Sequence, residues 1–420
     1  MLRSCEEAEA YVASVCFKHG PPQLLGVELE WLLYRPSTPR APLELPALTA
    51  ALGPHAPTTL DPRSPALPLP AGSLVTVEPG GQVELASPPL PDLTSLLADT
   101  SRDVTALHTL LAPHGLHPHP RAADPLRPPS RLLDLPRYRA MEHSFDRIGP
   151  YGRSGMCSTA AVQVSLDPGE GRDVALRWAA LHAIGPVLLA AFANSPRMHG
   201  RRTGWKSSRM ACWLTLDPAR TAPPPVVDDD PAGAWARRVL QTPLLCVRRP
   251  GAWDVPGRVT FGDWIAGALP ERPTTADLDY HVTTLFPPVR PRGHLEVRYV
   301  DAQPGSRWAL PVAVLVAAMS SPAVTDRVLA ACEPARGRWV SGARHGLSDR
   351  VLARSAAEVF DIAYSELDAT GAPSWLLEQL GDMTERQVLM GRCPADDPDL
   401  DPGAAAAVDA RQAQVTEGAR

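Results

Sequence analysis

Basic residues are not in excess: 46 acidic side chains against 41 basic ones give a formal charge of −5. Binding to a nucleic-acid backbone rests on Lys and Arg neutralising phosphates, so no such partner is expected. Paired cysteines are missing as well. The seven (Cys5, Cys16, Cys157, Cys212, Cys246, Cys332 and Cys393) are odd in number, scattered and never spaced C-x-x-C. That disfavours a disulfide framework and a thiolate zinc site, and suits a reducing cytoplasm. Glu6, Glu7 and Glu9 stand where an export signal would begin with basic residues and continue with an apolar run, so export is not expected. The longest apolar stretch, WALPVAVLVAAM from Trp308 to Met319, contains Pro311. It is well short of the roughly 20 residues a bilayer span needs and reads as a core helix, so no membrane partner is expected. A small-molecule role fits better.

Several familiar active-site signatures are also missing. GRRTGWKSS from Gly200 superficially resembles a P-loop, but only three residues separate Gly200 from Gly204, and Trp205 intervenes before Lys206. What remains is a basic loop able to hold an anion. No G-x-S-x-G elbow marks a serine hydrolase. Cys157 has no histidine arrangement around it and reads as a packed thiol. His114, His117 and His119 alternate with Pro113, Pro118 and Pro120 in an expected exposed loop. The run Gly149, Gly152, Gly155 reads as turns.

What is present begins with GVELEW, residues 26 to 31. In a strand, Val27, Leu29 and Trp31 take one face and Glu28 and Glu30 the other. Two carboxylates about 6.6 Å apart repel by roughly 2.5 kcal/mol at an effective dielectric of about 20, unless water, basic groups or cations intervene. From Pro36 to Pro70 the prolines forbid a continuous helix or central strand, leaving a connecting excursion with a short helical turn near Leu48. SLVTVEPGGQVELAS reads as two strands around a Pro79-Gly80-Gly81 turn. Leucine spacing predicts a helix over 93–112, closed by Pro113 and Gly115. The segment beginning RYRAMEHS reads as a glycine-punctuated loop leading to a strand at Ala161 to Leu166. A long apolar helix follows over about 173–193, then a short strand at 211–216 and a proline-acid linker, TAPPPVVDDDP. A strand at His294 to Val300 precedes a mostly helical remainder.

Hairpin-like strands mixed with long helices indicate an α+β fold with a largely antiparallel sheet, and disfavour the Rossmann class. Residues 1–394 are expected to form a single catalytic domain carrying the proline-rich insertion at about 36–70. Residues 395–420 have few large apolar side chains and are expected to form a mobile tail.

The strand-like segments repeat one feature. Glu28 and Glu30, Glu78 beside the glycine turn, Glu84 after Gln82, and Glu296 between His294 and Arg298 all alternate with apolar neighbours. One sheet could therefore present an apolar face to helices and a polar face lined with five carboxylates. Hard divalent cations are the usual remedy for such crowding, and Mg²⁺ accepts oxygen ligands while leaving room for phosphate and water. Arg137, Arg139, Arg147, Arg153, Arg201, Arg202, Arg209 and Arg298 could supply forked donors for phosphate or carboxylate. Arg209 and Arg298 are favoured because each lies in or beside an expected strand.

GVELEW, TVEPGGQVELAS, RYRAMEHSFDRIGPYGRSGMCSTAAVQVSLD, FANSP with GWKSSRMACW, and HVTTLFPPVRPRGHLEVRYVDAQP together resemble the glutamate-cysteine ligases of the plant and actinobacterial type. Those of actinobacterial ergothioneine biosynthesis are the most similar. The resemblance runs from about Leu25 to Pro394. It implies a curved, mainly antiparallel sheet flanked by helices, related to glutamine synthetase and the guanidino kinases, holding ATP and two or more Mg²⁺ ions. It also implies a reaction: ATP phosphorylates the γ-carboxylate of glutamate, and the amine of cysteine displaces phosphate. By position, Glu28, Glu30, Glu78, Glu84 and Glu296 are implied as metal ligands, and Arg209 and Arg298 as catalytic. Gln82, Arg153, Gln163, Trp213 and His281 are implied in substrate or ATP binding. Two positions depart from the family pattern: Ser165 in QVSLD stands where an asparagine is usual, and Ala222 follows Asp217, Arg220 and Thr221 where a glycine is usual.

Overall fold

GVELEW lies within β1 (Leu25–Trp31), a central strand of a six-stranded sheet. The computed structural model describes residues 1–18, 20, 23–224 and 229–400. The other strands are β2 (Leu74–Val77), β3 (Val83–Ala86), β4 (Ala161–Leu166), β5 (Val289–Pro291) and β6 (Leu295–Asp301), in the order β2-β3-β1-β4-β6-β5. Every pairing is antiparallel.

Register fixes which side chains share a face. Thr76 pairs with Glu84 and Glu84 with Glu30; Glu28 pairs with Gln163; Ser165 pairs with Glu296 and Glu296 with Arg290. All of these point to one side. Val27, Leu29, Val75, Val83, Leu85, Val162, Val164 and Val297 point to the other and are buried. The alternation in the sequence is thus the two-faced sheet itself.

Helices flank the sheet, some packed on its apolar side and others beside its polar face. The main ones are α1 (Leu93–Leu111), α2 (Pro136–Asp146), α3 (Tyr151–Cys157), α4 (Arg172–Ala191), α5 (Ser208–Leu216), α6 (Thr275–Val282), α7 (Ala309–Ala318), α8 (Pro322–Cys332), α9 (Trp339–His345) and α10 (Arg350–Ala369). α4 packs on β6 and against α8, α9 and α10. It is long and apolar enough to cross a membrane, but its residues from Ala180 to Ala191 are buried in this core. Gly185 makes that packing possible, because a Cβ there would stand 2.0 Å from the Trp339 ring. The stretch expected as a core helix is α7, and the turn near Leu48 is a helix at Leu45–Leu52.

The β2-β3 hairpin depends on its glycines. Gly81 has φ +87°, a left-handed conformation that suits glycine, and a Cβ on Gly80 would lie 2.2 Å from the carbonyl oxygen of Cys157. The turn is therefore pressed against the end of α3, which sets where Glu78 and Gln82 sit.

Three sequence expectations are corrected. The strand expected at 211–216 is α5: Ser207 caps it by accepting from the Met210 N–H at 3.1 Å, and Met210, Trp213 and Leu216 recur at helical spacing. The loop expected from RYRAMEHS onward contains α2 and α3. Pro136 opens α2, and Met141 and Phe145 form its buried i, i+4 pair. Gly152 then supplies close helix contact, since a Cβ there would meet Phe145 at 2.3 Å. Residues 395 and 396, at the start of the expected mobile tail, are anchored together with the preceding Pro394: Ala395 donates to the Ala193 carbonyl at 2.8 Å, Arg121 to the Pro394 carbonyl at 2.9 Å, and Lys206 pairs with Asp396. Residues 401–420 and linker residues 225–228 lie outside the described part of the chain.

Candidate active site

The polar face of the sheet floors a cleft of ≈ 240 Å³. Glu28, Glu30, Glu78, Gln82, Glu84, Gln163, Arg209, Trp213 and Arg298 all line it, as do Arg137, Tyr138, Phe286, Arg290 and Arg292. Residues distant in sequence meet here because β1, β3, β4 and β6 are neighbours, while α2, α3 and α5 close one side.

The floor is divided by charge. On the acidic half, Glu30 and Glu84 face each other across the β1-β3 pair. Thr76 Oγ1 donates to Glu84 Oε1 at 2.6 Å, and the Ala161 N–H donates to Glu30 Oε2 at 2.9 Å. On the basic half, Arg290 grips Glu296 through two bonds of 2.7 and 2.8 Å, and Arg298 takes the same carboxylate. Gln163 joins the halves: its Nε2 donates to Glu30 Oε1 at 2.7 Å while its Oε1 accepts from Arg298.

Protonation follows from this arrangement. Burial, then the charges of Glu84 and Glu296, push Glu28 up to about 8, with Arg298 and Arg290 opposing. Burial and Glu78 push Glu84 up to about 7 against the hydrogen bond from Thr76. Burial and the charge of Glu84 raise Glu30 well above the carboxylate range, and burial raises Glu78. Glu296 moves the other way: burial favours its neutral form, but Arg290 and Arg298 outweigh this and hold it well below the usual range. Burial likewise opposes the charge on Arg298, and Glu296, Glu30 and Glu28 overcome it.

A stability prediction follows. From pH 4.5 up to about 7 at Glu84 and about 8 at Glu28, the folded protein keeps protons that the unfolded chain, with carboxyls at 4.5, has released. Stability from these groups is complete below pH 4.5 and is lost as pH rises through 7 to 8. The buried histidines His182 and His281, lowered from 6.5 to about 4 and about 3, work in the opposite direction, but mainly below pH 6.5, where the unfolded chain's imidazoles take up protons. The melting temperature of the nucleotide-free protein should therefore fall by several degrees between pH 6.5 and 8, and Glu84→Gln should flatten the fall. A melting temperature that rises over the same window would contradict the assigned charges.

Three expected site residues are placed elsewhere. Arg153 is exposed on α3, pairing with Asp146 at 2.6 Å and Glu142 at 3.1 Å, and faces away from the cleft because Gly152 and Gly155 occupy the packed side of that helix. His281 is buried in α6 against Phe261, with Nε2 3.0 Å from the Val239 carbonyl, and is a neutral core histidine. Glu296 is beneath the cleft rather than on its lining, 1 % exposed, with both oxygens engaged by arginines. It serves as the counter-ion that holds Arg290 and Arg298. Arg209 does line the site, but from the first turn of a helix rather than a strand.

Sequence reasoning passed over Arg290 and Arg292, Phe286 and Tyr138. The signal for the arginines was the V-R-P-R-G run two residues before LEVR, which forms the β5-β6 hairpin and sets Arg290 directly opposite Glu296. Phe286 packs edge-on against Trp213, ring centroids 5.6 Å apart, with Arg298 above it at 6.0 Å. The pair forms an apolar wall beside the charged floor.

A family model described as glutamate-cysteine ligase family 2 matches residues 24–398. The chain belongs to that family. The glutamate-cysteine ligase EgtA of Mycolicibacterium smegmatis is 38 % identical over 400 residues, covering 94 % of this chain and 90 % of the relative. EgtA of Mycobacterium tuberculosis is 39 % identical, covering 93 % and 88 %. The chloroplastic glutamate-cysteine ligase of Medicago truncatula is 31 % identical over 71 % of this chain and 62 % of its own length. Among solved structures, a glutamate-cysteine ligase from Francisella tularensis in complex with AMP shares the fold, with TM-score 0.52 and 13 % identity over 90 % of this chain and 84 % of that one. The four carboxylates that line the cleft, Glu28, Glu30, Glu78 and Glu84, all lie within the matched residues 24–398.

Proposed function

We propose that this cleft joins the γ-carboxylate of L-glutamate to the amine of L-cysteine at the expense of ATP, through γ-glutamyl phosphate, giving γ-glutamylcysteine. Ergothioneine biosynthesis in the cytoplasm is the proposed setting, with no nucleic-acid or membrane partner. The carrying observation is the floor divided between four carboxylates and the Arg209, Arg290 and Arg298 group, bridged by Gln163. Kinship with glutamine synthetase and the guanidino kinases belongs to the same proposal and is supported by the antiparallel sheet with acids on its open face.

The donor set suits Mg²⁺, because hard carboxylate oxygens dominate the floor, and burial first and neighbouring carboxylates second disfavour their charged forms in the absence of a cation. Among the described residues no three His, Cys, Asp or Glu side chains stand together as a ready metal cage. Glu28, Glu30, Glu78 and Glu84 would therefore hold two or more ions jointly with phosphate oxygens and water. Bound there, Mg²⁺ would supply charge neutralisation for the triphosphate.

Phosphoryl transfer between two anions asks the protein for positioning and charge stabilisation more than for covalent help. The arginines fit that need as forked, permanently charged donors that can follow charge as it moves from ATP to the acyl phosphate. The Trp213-Phe286 wall excludes water from one side of the reacting groups. The residues point to no dedicated general base, and the amine's proton can leave to water or to the departing phosphate.

Mass detection of the product formed from glutamate, ATP, Mg²⁺ and a panel of amines tests this reading. γ-Glutamylcysteine should form fastest. A different preferred amine would keep the ligase and replace its substrate, while no ATP cleavage with any amine would leave a nucleotide-binding protein without catalysis.

A further inference from the structure

The register of β6 against β4 shifts between Val297 and Val300, so three steps along β6 match two along β4. A bulge of this kind reverses which face the following residues take. Val300 is thereby returned to the apolar side opposite Val162, and Asp301, opposite Ala161, joins the functional face. Without the bulge, Asp301 would point into the helical core.

Asp301 is 1 % exposed and richly held. Its Oδ2 accepts from the Asn194 N–H and from Ser195 Oγ, both at 2.8 Å. Its Oδ1 accepts from Ser207 Oγ at 2.8 Å and stands 3.7 Å from Arg209 Nη1. The two serines pass this anchorage on. Ser195 Oγ accepts from the Arg209 backbone N–H at 3.1 Å, and Ser207 Oγ caps α5 by accepting from the Met210 N–H at 3.1 Å. Arg209 Nη2 donates to the Arg298 carbonyl at 2.7 Å, within the bulge itself.

One carboxylate thus fixes the start of α5, the backbone of Arg209 and one corner of its guanidinium, and the bulge fixes another corner. We propose that Asp301 is a positioning residue for Arg209, acting through Ser195 and Ser207 to hold that guanidinium in the cleft without itself touching substrate. The inference rests on the ligase reading only in that Arg209 acts on phosphate or substrate carboxylate. Displacement of such a donor by about an ångström can cost on the order of 10²-fold in rate.

A double-mutant cycle tests it, with kcat, KM and melting temperature measured for Asp301→Asn, Ser207→Ala, Arg209→Lys and the pair Ser207→Ala/Arg209→Lys. Asp301→Asn should lower kcat by about 100-fold. Because it could also unfold the protein, Ser207→Ala carries the decision. Its kcat should fall by about 10-fold with each KM unchanged, Ser207→Thr should recover most of the loss, and the drop should vanish in the Arg209→Lys background while the loss of melting temperature persists there. An equal drop in both backgrounds, or a lower melting temperature with wild-type kcat, would overturn the inference and leave the ligase reading intact. Wild-type turnover by Arg209→Lys would overturn the inference by removing Arg209 from the reaction, whereas only a wild-type protein that forms no γ-glutamylcysteine would overturn the ligase reading.

Discussion

Glu84→Gln should lower ligase turnover by about 10²- to 10³-fold, the scale expected when one preorganised electrostatic group is removed, while leaving the fold as stable or more stable at pH 8. The amide keeps the size of the side chain and can still accept from Thr76 Oγ1, which stands 2.6 Å from Glu84 Oε1. What disappears is a negative charge directly opposite Glu30 and beside Glu78. Burial first and the charge of Glu78 second raise the carboxyl of Glu84, so losing its charge stabilises the nucleotide-free cleft and weakens only the state in which cations and phosphates are bound. Glu30→Gln should lose activity to a similar extent but not gain stability. Both Glu30 oxygens already accept from protein donors, the Ala161 N–H and Gln163 Nε2, and an amide satisfies only one of them. Steady-state kinetics at saturating Mg-ATP, paired with thermal melts, separate the effects. Wild-type turnover by Glu84→Gln would remove that residue from the cation-holding role.

Arg298→Lys should cost about 10²-fold in kcat/KM, and Arg201→Lys or Arg202→Lys should stay within about twofold, as surface changes of this kind usually do. Arg298 joins Glu296 to Gln163 through one guanidinium nitrogen, Nη1, while the rest of its planar group lies over the Phe286 ring and lines the cleft. A lysine ammonium is a single point of charge and cannot at once hold both partners, cover the Phe286 ring and face the cleft as the planar guanidinium does. Its loss would leave Glu296 to Arg290 alone and free the Gln163 amide to turn, disturbing Glu30 on the acidic half as well. Arg201 and Arg202, by contrast, are exposed on a two-stranded hairpin away from the floor. Similar kcat/KM losses at all three positions would show that Arg298 contributes charge without geometry.

The acidic half of this site could be read from the chain because period-two alternation is a local signal. Glu28, Glu30 and Glu84 needed only their own neighbours to reveal a shared face, and the two glycines after Pro79 marked the turn that presents Glu78. The basic half depended on contacts that no local pattern encodes. Arg290 matters because a three-residue strand sets it opposite Glu296, and that pairing converts the expected metal ligand Glu296 into a buried counter-ion. Arg153 and His281 belong to motifs around the site, yet helix rotation turns one to solvent and the other into the core. The helix at Ser208–Leu216 was hidden because ACWLTL alternates acceptably as a strand, and only the serine cap and the three-residue recurrence from Met210 reveal its true period. The bulge that brings Asp301 to Arg209 has no signature in LEVRYVD.

The proposed reaction first phosphorylates a carboxylate and then exchanges phosphate for an amine within one cleft. In that sequence a γ-carboxylate oxygen attacks the terminal phosphorus of ATP, ADP leaves, and the amine's attack on the acyl carbon expels phosphate carrying that same oxygen. Glutamate labelled with ¹⁸O in its γ-carboxylate, incubated with cysteine, ATP, Mg²⁺ and the enzyme, is predicted to yield inorganic phosphate with one ¹⁸O per molecule of γ-glutamylcysteine. Phosphate free of the label, with product still formed, would contradict the acyl-phosphate route and the role given to this cleft.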